Sequence, residues 1–177
     1  MLTKTIFSGF GGQGVLSMGY IFAYAAMVDG KNTTYLPSYG AEVRGGTANC
    51  TVAISDEEIA SPVASSPEFV VVMNNPSFLR FQNVVQSGGI MFLNSSMIEA
   101  RPIRGDIELF EIPANDIAKR LGNERVVNMV MLGFFIEKTG LVSQGGVEKA
   151  LEDAFTSRGK ALVTLNKKAF TEGRTYD

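Results

Sequence analysis

Gly9-Phe10-Gly11-Gly12-Gln13-Gly14 is the stretch of this chain best suited to holding an anion. It lies between an apolar run, Thr5-Ile6-Phe7, and a long segment of helical spacing. Glycines let the backbone turn tightly and approach a ligand, and a helix N-terminus offers free N–H groups at the positive end of its dipole. Gly9, Gly11 and Gly14 match G-x-G-x-x-G in the strand–turn–helix setting that the motif requires. A dinucleotide enzyme also needs an acidic residue at the end of the second strand to hold the ribose. That strand closes on Tyr35-Leu36-Pro37-Ser38, with Asp29 too early and Glu42 too late, so a nicotinamide or flavin reading lacks its second support. The same glycines would also serve to pack the first helix closely on a sheet. Gln13 could donate a side-chain hydrogen bond to a ligand or simply be solvated.

A second unusual segment, Pro37-Ser38-Tyr39-Gly40-Ala41-Glu42-Val43-Arg44-Gly45-Gly46, joins two strands. It combines a hydroxyl, a phenol, a carboxylate, a guanidinium and three glycines, a mixture common in loops that line ligand sites. Arg44 could take a phosphate or carboxylate in bidentate fashion. An internal Glu42–Arg44 contact in a surface loop is the plainer alternative. Asn74 follows the most apolar strand. In a doubly wound sheet all three segments leave carboxyl ends of strands, where ligands bind, so they are expected to converge.

The remaining residue types narrow the chemistry. The 177 residues include no histidine, no tryptophan and one cysteine, Cys50. No histidine is available to activate a serine or cysteine, which weakens every hydrolase reading. One cysteine cannot ligate an intrachain iron–sulfur cluster or zinc site, and no metal site or catalytic residue is expected. Cys50 itself reads as a small buried apolar residue. A net charge of −2 with 19% charged residues gives no sign of nucleic acid or an anionic membrane as partner. The uncharged apolar run over 126–136 is too short to span a bilayer. No signal peptide is apparent, and a cytoplasmic location is expected.

The elements that must position these residues alternate. Strands are expected at 4–7, 32–36, 48–54, 69–73, 90–93 and 107–112. Helices are expected at 13–28, 77–85, from 113 to about 121, 126–139 and 143–157. The alternation implies an α/β fold, a single Rossmann-like domain over residues 1–170 with a mostly parallel sheet flanked by helices. Residues 171–177 read as a flexible tail. The 126–136 helix is apolar all round, so it is buried in the core or under a partner.

Taken together, Gly9-Phe10-Gly11-Gly12-Gln13-Gly14-Val15 and the Pro37–Gly46 motif resemble the gamma subunit of 2-oxoacid:ferredoxin oxidoreductases, as do Ile54-Ser55-Asp56-Glu57-Glu58-Ile59 and the chain length. The resemblance covers essentially the whole chain and is strongest to the 2-oxoglutarate and branched-chain (ketoisovalerate) members, less so to the pyruvate members. It implies a complex that oxidatively decarboxylates a 2-oxoacid with coenzyme A, yielding an acyl-CoA, carbon dioxide and reduced ferredoxin. Thiamine diphosphate, magnesium and iron–sulfur clusters would sit on the alpha, beta and ferredoxin-like delta partners. None would be bound by this chain alone, which lacks a Gly-Asp-Gly…Asn run. Carried over residue by residue, Gly9, Gly11, Gly12, Gln13 and Gly14 would form one wall of a coenzyme A site. Ser38, Tyr39, Glu42, Arg44, Gly45 and Gly46 would form another, with Asn74 alongside. The second loop could instead dock on a partner, and the isolated chain could cover its partner-facing patch by forming a homodimer. Two rivals remain open from sequence: an independent nucleotide-binding oxidoreductase, and a non-enzymatic assembly module.

Overall fold

The computed structural model describes residues 1–39 and 47–177, with Tyr39 described by its backbone alone. The expectations for Glu42, Arg44, Gly45 and Gly46 lie outside the described residues.

The chain forms β1 (Thr3–Phe10), α1 (Val15–Val28), β2 (Asn32–Tyr39), β3 (Thr47–Ser55), β4 (Phe69–Val72) and α2 (Asn75–Phe81). It continues through β5 (Ile90–Asn94), β6 (Glu108–Ile112), α3 (Ala114–Arg120), α4 (Val127–Thr139), α5 (Gln144–Phe155) and α6 (Lys160–Arg174). The strands make one sheet in the order β2-β3-β1-β4-β5-β6. Parallel ladders join β1 to β4, β4 to β5 and β5 to β6. Antiparallel ladders join β3 to both β1 and β2. Five strands therefore run one way, and β3 alone runs back between β2 and β1. Burial explains why β3 takes the interior place. Its Cys50, Val52 and Ile54 are all in the core against α1, whereas β2 carries Asn32, Thr33, Thr34 and Pro37. Proline has no N–H to give a ladder, and an edge strand tolerates it. The second strand consequently runs through Pro37 to Tyr39, three residues beyond the sequence expectation.

The two faces of the sheet are covered unequally. On one face Phe7 and Phe92 pack beneath α1 and α4, and Phe135 of α4 lies edge-on to Phe7 at 5.4 Å and to Phe92 at 5.1 Å. On the other, Ile6, Val70, Val72, Met91 and Leu93 meet Phe78 and Phe81 of the short helix α2. Helix α4 is buried from Val127 to Ile136, which its all-round apolar sequence requires. Its outer side is taken by α6. There Gly133 and Gly173 bring the two backbones together, and a Cβ on either would strike a carbonyl oxygen of the other helix, that of Phe170 or Val130. Residues expected as a tail from Thr171 instead continue α6 to Arg174, and the Tyr176 ring lies edge-on to Phe134 at 5.9 Å.

Candidate functional site

The ends of β1, β2 and β4 lie on one edge of the sheet, as these strands run the same way. Ala48 of β3 pairs with Gly9 on one side and Tyr39 on the other. The glycine loop and the Ser38–Tyr39 end of β2 thus leave the sheet with one strand between them, about 10 Å apart at the usual strand spacing.

The glycines of the first motif divide into two kinds. Gly9 belongs to β1, and a Cβ there would lie 2.7 Å from Gln13 Oε1 and from Val15 Cγ2 and 2.9 Å from Met73 Cβ. Gly14 caps α1 with φ +72°, and the Asn128 side chain fills the space beside its Cα. Asn128 Nδ2 donates to the Gly14 carbonyl at 3.1 Å, tying α4 to the start of α1. Both are close-packing glycines. Gly11 and Gly12 are different: both are exposed, a Cβ on either would meet nothing among the described residues, and Gly12 has φ +100°. They border a cleft of about 280 Å³ together with Phe10, Val15 and Ala48. Through Leu16 and Ser17 this cleft adjoins a second of about 440 Å³, walled by Tyr20, Tyr35, Phe155 and Arg158. No described side chain caps α1, and its first residues, Val15, Leu16 and Ser17, line the glycine cleft, where uncapped N–H groups are potential anion donors.

Gln13 and Asn74 are placed together, but beneath the cleft. Gln13 Oε1 accepts from the Phe10 N–H at 2.7 Å and from Asn74 Nδ2 at 3.0 Å, and its Nε2 donates to the Met73 carbonyl at 3.4 Å. Asn74 is 1% exposed. Its Oδ1 accepts from the Ser77 N–H at 2.9 Å and so caps α2. Asn94, fully buried at the end of β5, extends the series. It donates to the Met73 carbonyl at 3.3 Å and to Asn115 Oδ1 at 2.7 Å, and accepts from the Ala114 N–H at 3.2 Å. Buried amides must be hydrogen-bonded, and here they lace the carboxyl ends of β4 and β5 to the glycine loop and to α3. Sequence reading did not single out Asn94, Asn115 or Asn128. Asn94 was the legible one, since it ends an apolar strand as Asn74 does.

Ser38 stands exposed at the end of β2. No described side chain bridges it to the glycine loop.

Cys50 lies against Gly19, with Sγ donating to the Val15 carbonyl at 3.7 Å. Burial pushes its thiol up to about 12, with the Gly19 backbone pulling slightly the other way. Among the described residues no three His, Cys, Asp or Glu groups converge on a possible metal position. A single buried cysteine does not fit the thiolate set of an iron–sulfur cluster.

A family model described as pyruvate ferredoxin/flavodoxin oxidoreductase matches residues 4–176. The chain belongs to that oxidoreductase family. Among its relatives, the ketoisovalerate oxidoreductase subunit VorA of Methanothermobacter thermautotrophicus is 38% identical over 171 residues, covering 96% of this chain and 35% of VorA. The chain thus spans about a third of the length of that family member. The 2-oxoglutarate synthase subunit KorC of the same organism is 36% identical over 174 residues, covering 94% of this chain and 90% of KorC. A solved structure, the gamma subunit of a keto/oxoacid ferredoxin oxidoreductase from Geobacter sulfurreducens, superposes with a TM-score of 0.82 at 31% identity, covering 97% of this chain and 96% of that one. Family membership and fold therefore agree over nearly the whole chain. Among the described residues no helix is long and apolar enough to cross a membrane.

Proposed function

We propose that this chain is the non-redox gamma subunit of a coenzyme A-acylating 2-oxoacid:ferredoxin oxidoreductase, with 2-oxoglutarate as substrate and a branched-chain 2-oxoacid as the alternative. The observation that carries the proposal is the match to KorC at 36% identity over nine-tenths of both chains, because residues of this chain account for nearly the whole of that subunit. The complex converts a 2-oxoacid, coenzyme A and two oxidised ferredoxins into an acyl-CoA, carbon dioxide, a proton and two reduced ferredoxins. Thiamine diphosphate, magnesium and iron–sulfur clusters on alpha, beta and delta partners supply the carbanion and electron-transfer chemistry, in the cytoplasm. This chain supplies binding. The Gly11–Gly12 cleft and the uncapped α1 N-terminus present backbone N–H groups to a phosphate of coenzyme A, and Arg44 adds its guanidinium from the second loop.

An independent dinucleotide enzyme is a poorer reading for a topological reason. In the Rossmann arrangement the second strand lies beside the first and presents the ribose-binding acid there. Here β3 lies between them, and β2 contains no acidic residue.

Affinity capture of the tagged chain from its native cells under anaerobic conditions tests the proposal. The captured fraction should contain a thiamine-dependent partner and reduce a viologen dye with coenzyme A and 2-oxoglutarate, chosen from a panel of 2-oxoacids. Recovery of the chain alone, with no such activity from the cells' remaining 2-oxoacid oxidoreductases on its re-addition, would contradict it.

A further inference from the structure

Gln13 reads from sequence as a ligand-binding residue, but its polar atoms are engaged within the chain. Its Oε1 accepts two hydrogen bonds, from the Phe10 N–H at 2.7 Å and from Asn74 Nδ2 at 3.0 Å. Its own N–H donates to the Phe10 carbonyl at 3.2 Å, so residues 10 and 13 are joined reciprocally. Gly9 makes this possible, since a Cβ there would fall 2.7 Å from the same Oε1. Asn74, which receives the clasp, is itself fixed by capping α2 at Ser77. The Met73 carbonyl accepts from both Gln13 Nε2 and Asn94 Nδ2. The result is a closed loop whose two outward residues, Gly11 and Gly12, have no packing of their own among the described residues.

We infer that Gln13 is a positioning residue: its amide fastens the Phe10–Gly14 turn to the end of β4 and so holds Gly11 and Gly12 in the shape that receives the ligand, without touching the ligand itself. A loop with two free-standing glycines loses much backbone entropy on ordering. A clasp formed during folding removes that cost from ligand binding. The inference rests on the coenzyme A reading given above for what occupies the cleft, whereas the clasp itself belongs to the chain.

The test compares Gln13→Ala and Gln13→Glu with the unmodified protein, each assembled with its partners. Two quantities are measured: the coenzyme A dependence of turnover, and amide hydrogen exchange of the segment 9–14 in the isolated chain. Glutamate can still accept from both the Phe10 N–H and Asn74 Nδ2, whereas alanine accepts from neither. Its negative charge would repel a bound phosphate at contact distance. A positioning role predicts that Gln13→Ala speeds exchange in the segment and raises the apparent KM for coenzyme A about tenfold with kcat within about twofold. It predicts that Gln13→Glu recovers most of both losses. Glutamate loses the donation to the Met73 carbonyl, so the exchange arm decides: Gln13→Glu exchanging as slowly as the unmodified protein while binding coenzyme A less well than Gln13→Ala would mean direct ligand contact and overturn the inference. Unchanged exchange, or faster exchange with an unchanged KM, would overturn it as well. If the unmodified assembly shows no coenzyme A-dependent turnover, it is the functional proposal that fails, and the exchange arm still reads the clasp.

Discussion

At the scale of single residues, burial decides which side chains are free to do chemistry. The Cys50 thiol, pushed up to about 12 mainly by burial, stays protonated throughout the pH range in which a thiolate nucleophile works. Iodoacetamide at pH 8 should therefore leave the folded protein unlabelled and modify Cys50 fully in denaturant, as read by intact mass. Rapid labelling of the folded protein would contradict its placement. The sequence pointed to this outcome, because a cysteine between Asn49 and Thr51-Val52 on an apolar strand has no activating neighbour. The roles of the glycines were less legible. One motif contains two packing glycines, Gly9 and Gly14, and two open ones, Gly11 and Gly12. Only the contacts from Gln13, Val15, Met73 and Asn128 separate them, and these come from three distant stretches of the chain. The partners of Gln13 were hidden for the same reason, since Met73 and Asn74 are 60 and 61 residues away in sequence.

At the scale of elements, α4 and α6 show what a sequence conceals. The apolar run of α4 identified a buried helix directly. Helix α6 was not expected, because its buried positions are Asn166, Ala169, Phe170 and Gly173. The spacing is helical, but only Phe170 is large and apolar, and glycine ordinarily counts against a helix. Gly173 is tolerated because it lets α6 approach Val130 of α4, just as Gly133 lets α4 approach Phe170. Gly133→Ala would force the helices apart and should cost about 3 kcal/mol, measured as a drop in the urea midpoint. A change under about 0.5 kcal/mol would contradict the backbone contact. The β2–β3 hairpin was legible as two strands but not as a pair inserted beside β1. Strand order depends on which strand has the more apolar faces, a comparison between elements that no single stretch contains.

At the scale of the whole molecule, the α/β class and the gathering of the glycine loop, the β2 end and Asn74 on one sheet edge followed from strand alternation alone. The family followed from the paired glycine-loop and Ser38–Gly46 motifs. On the proposed reading, the cleft beside Gly11 and Gly12 receives the anion, and the buried Cys50 takes no part. The chain's contribution would then be to hold coenzyme A where a partner's chemistry can use the thiol. The most direct measurement is coenzyme A-dependent viologen reduction with 2-oxoglutarate by the assembled complex, before and after this chain is stripped from it and again after it is added back. The account predicts that activity falls on removal and returns on re-addition, while thiamine diphosphate and iron–sulfur content stay with the stripped partners. Undiminished coenzyme A-dependent activity without the chain would contradict it.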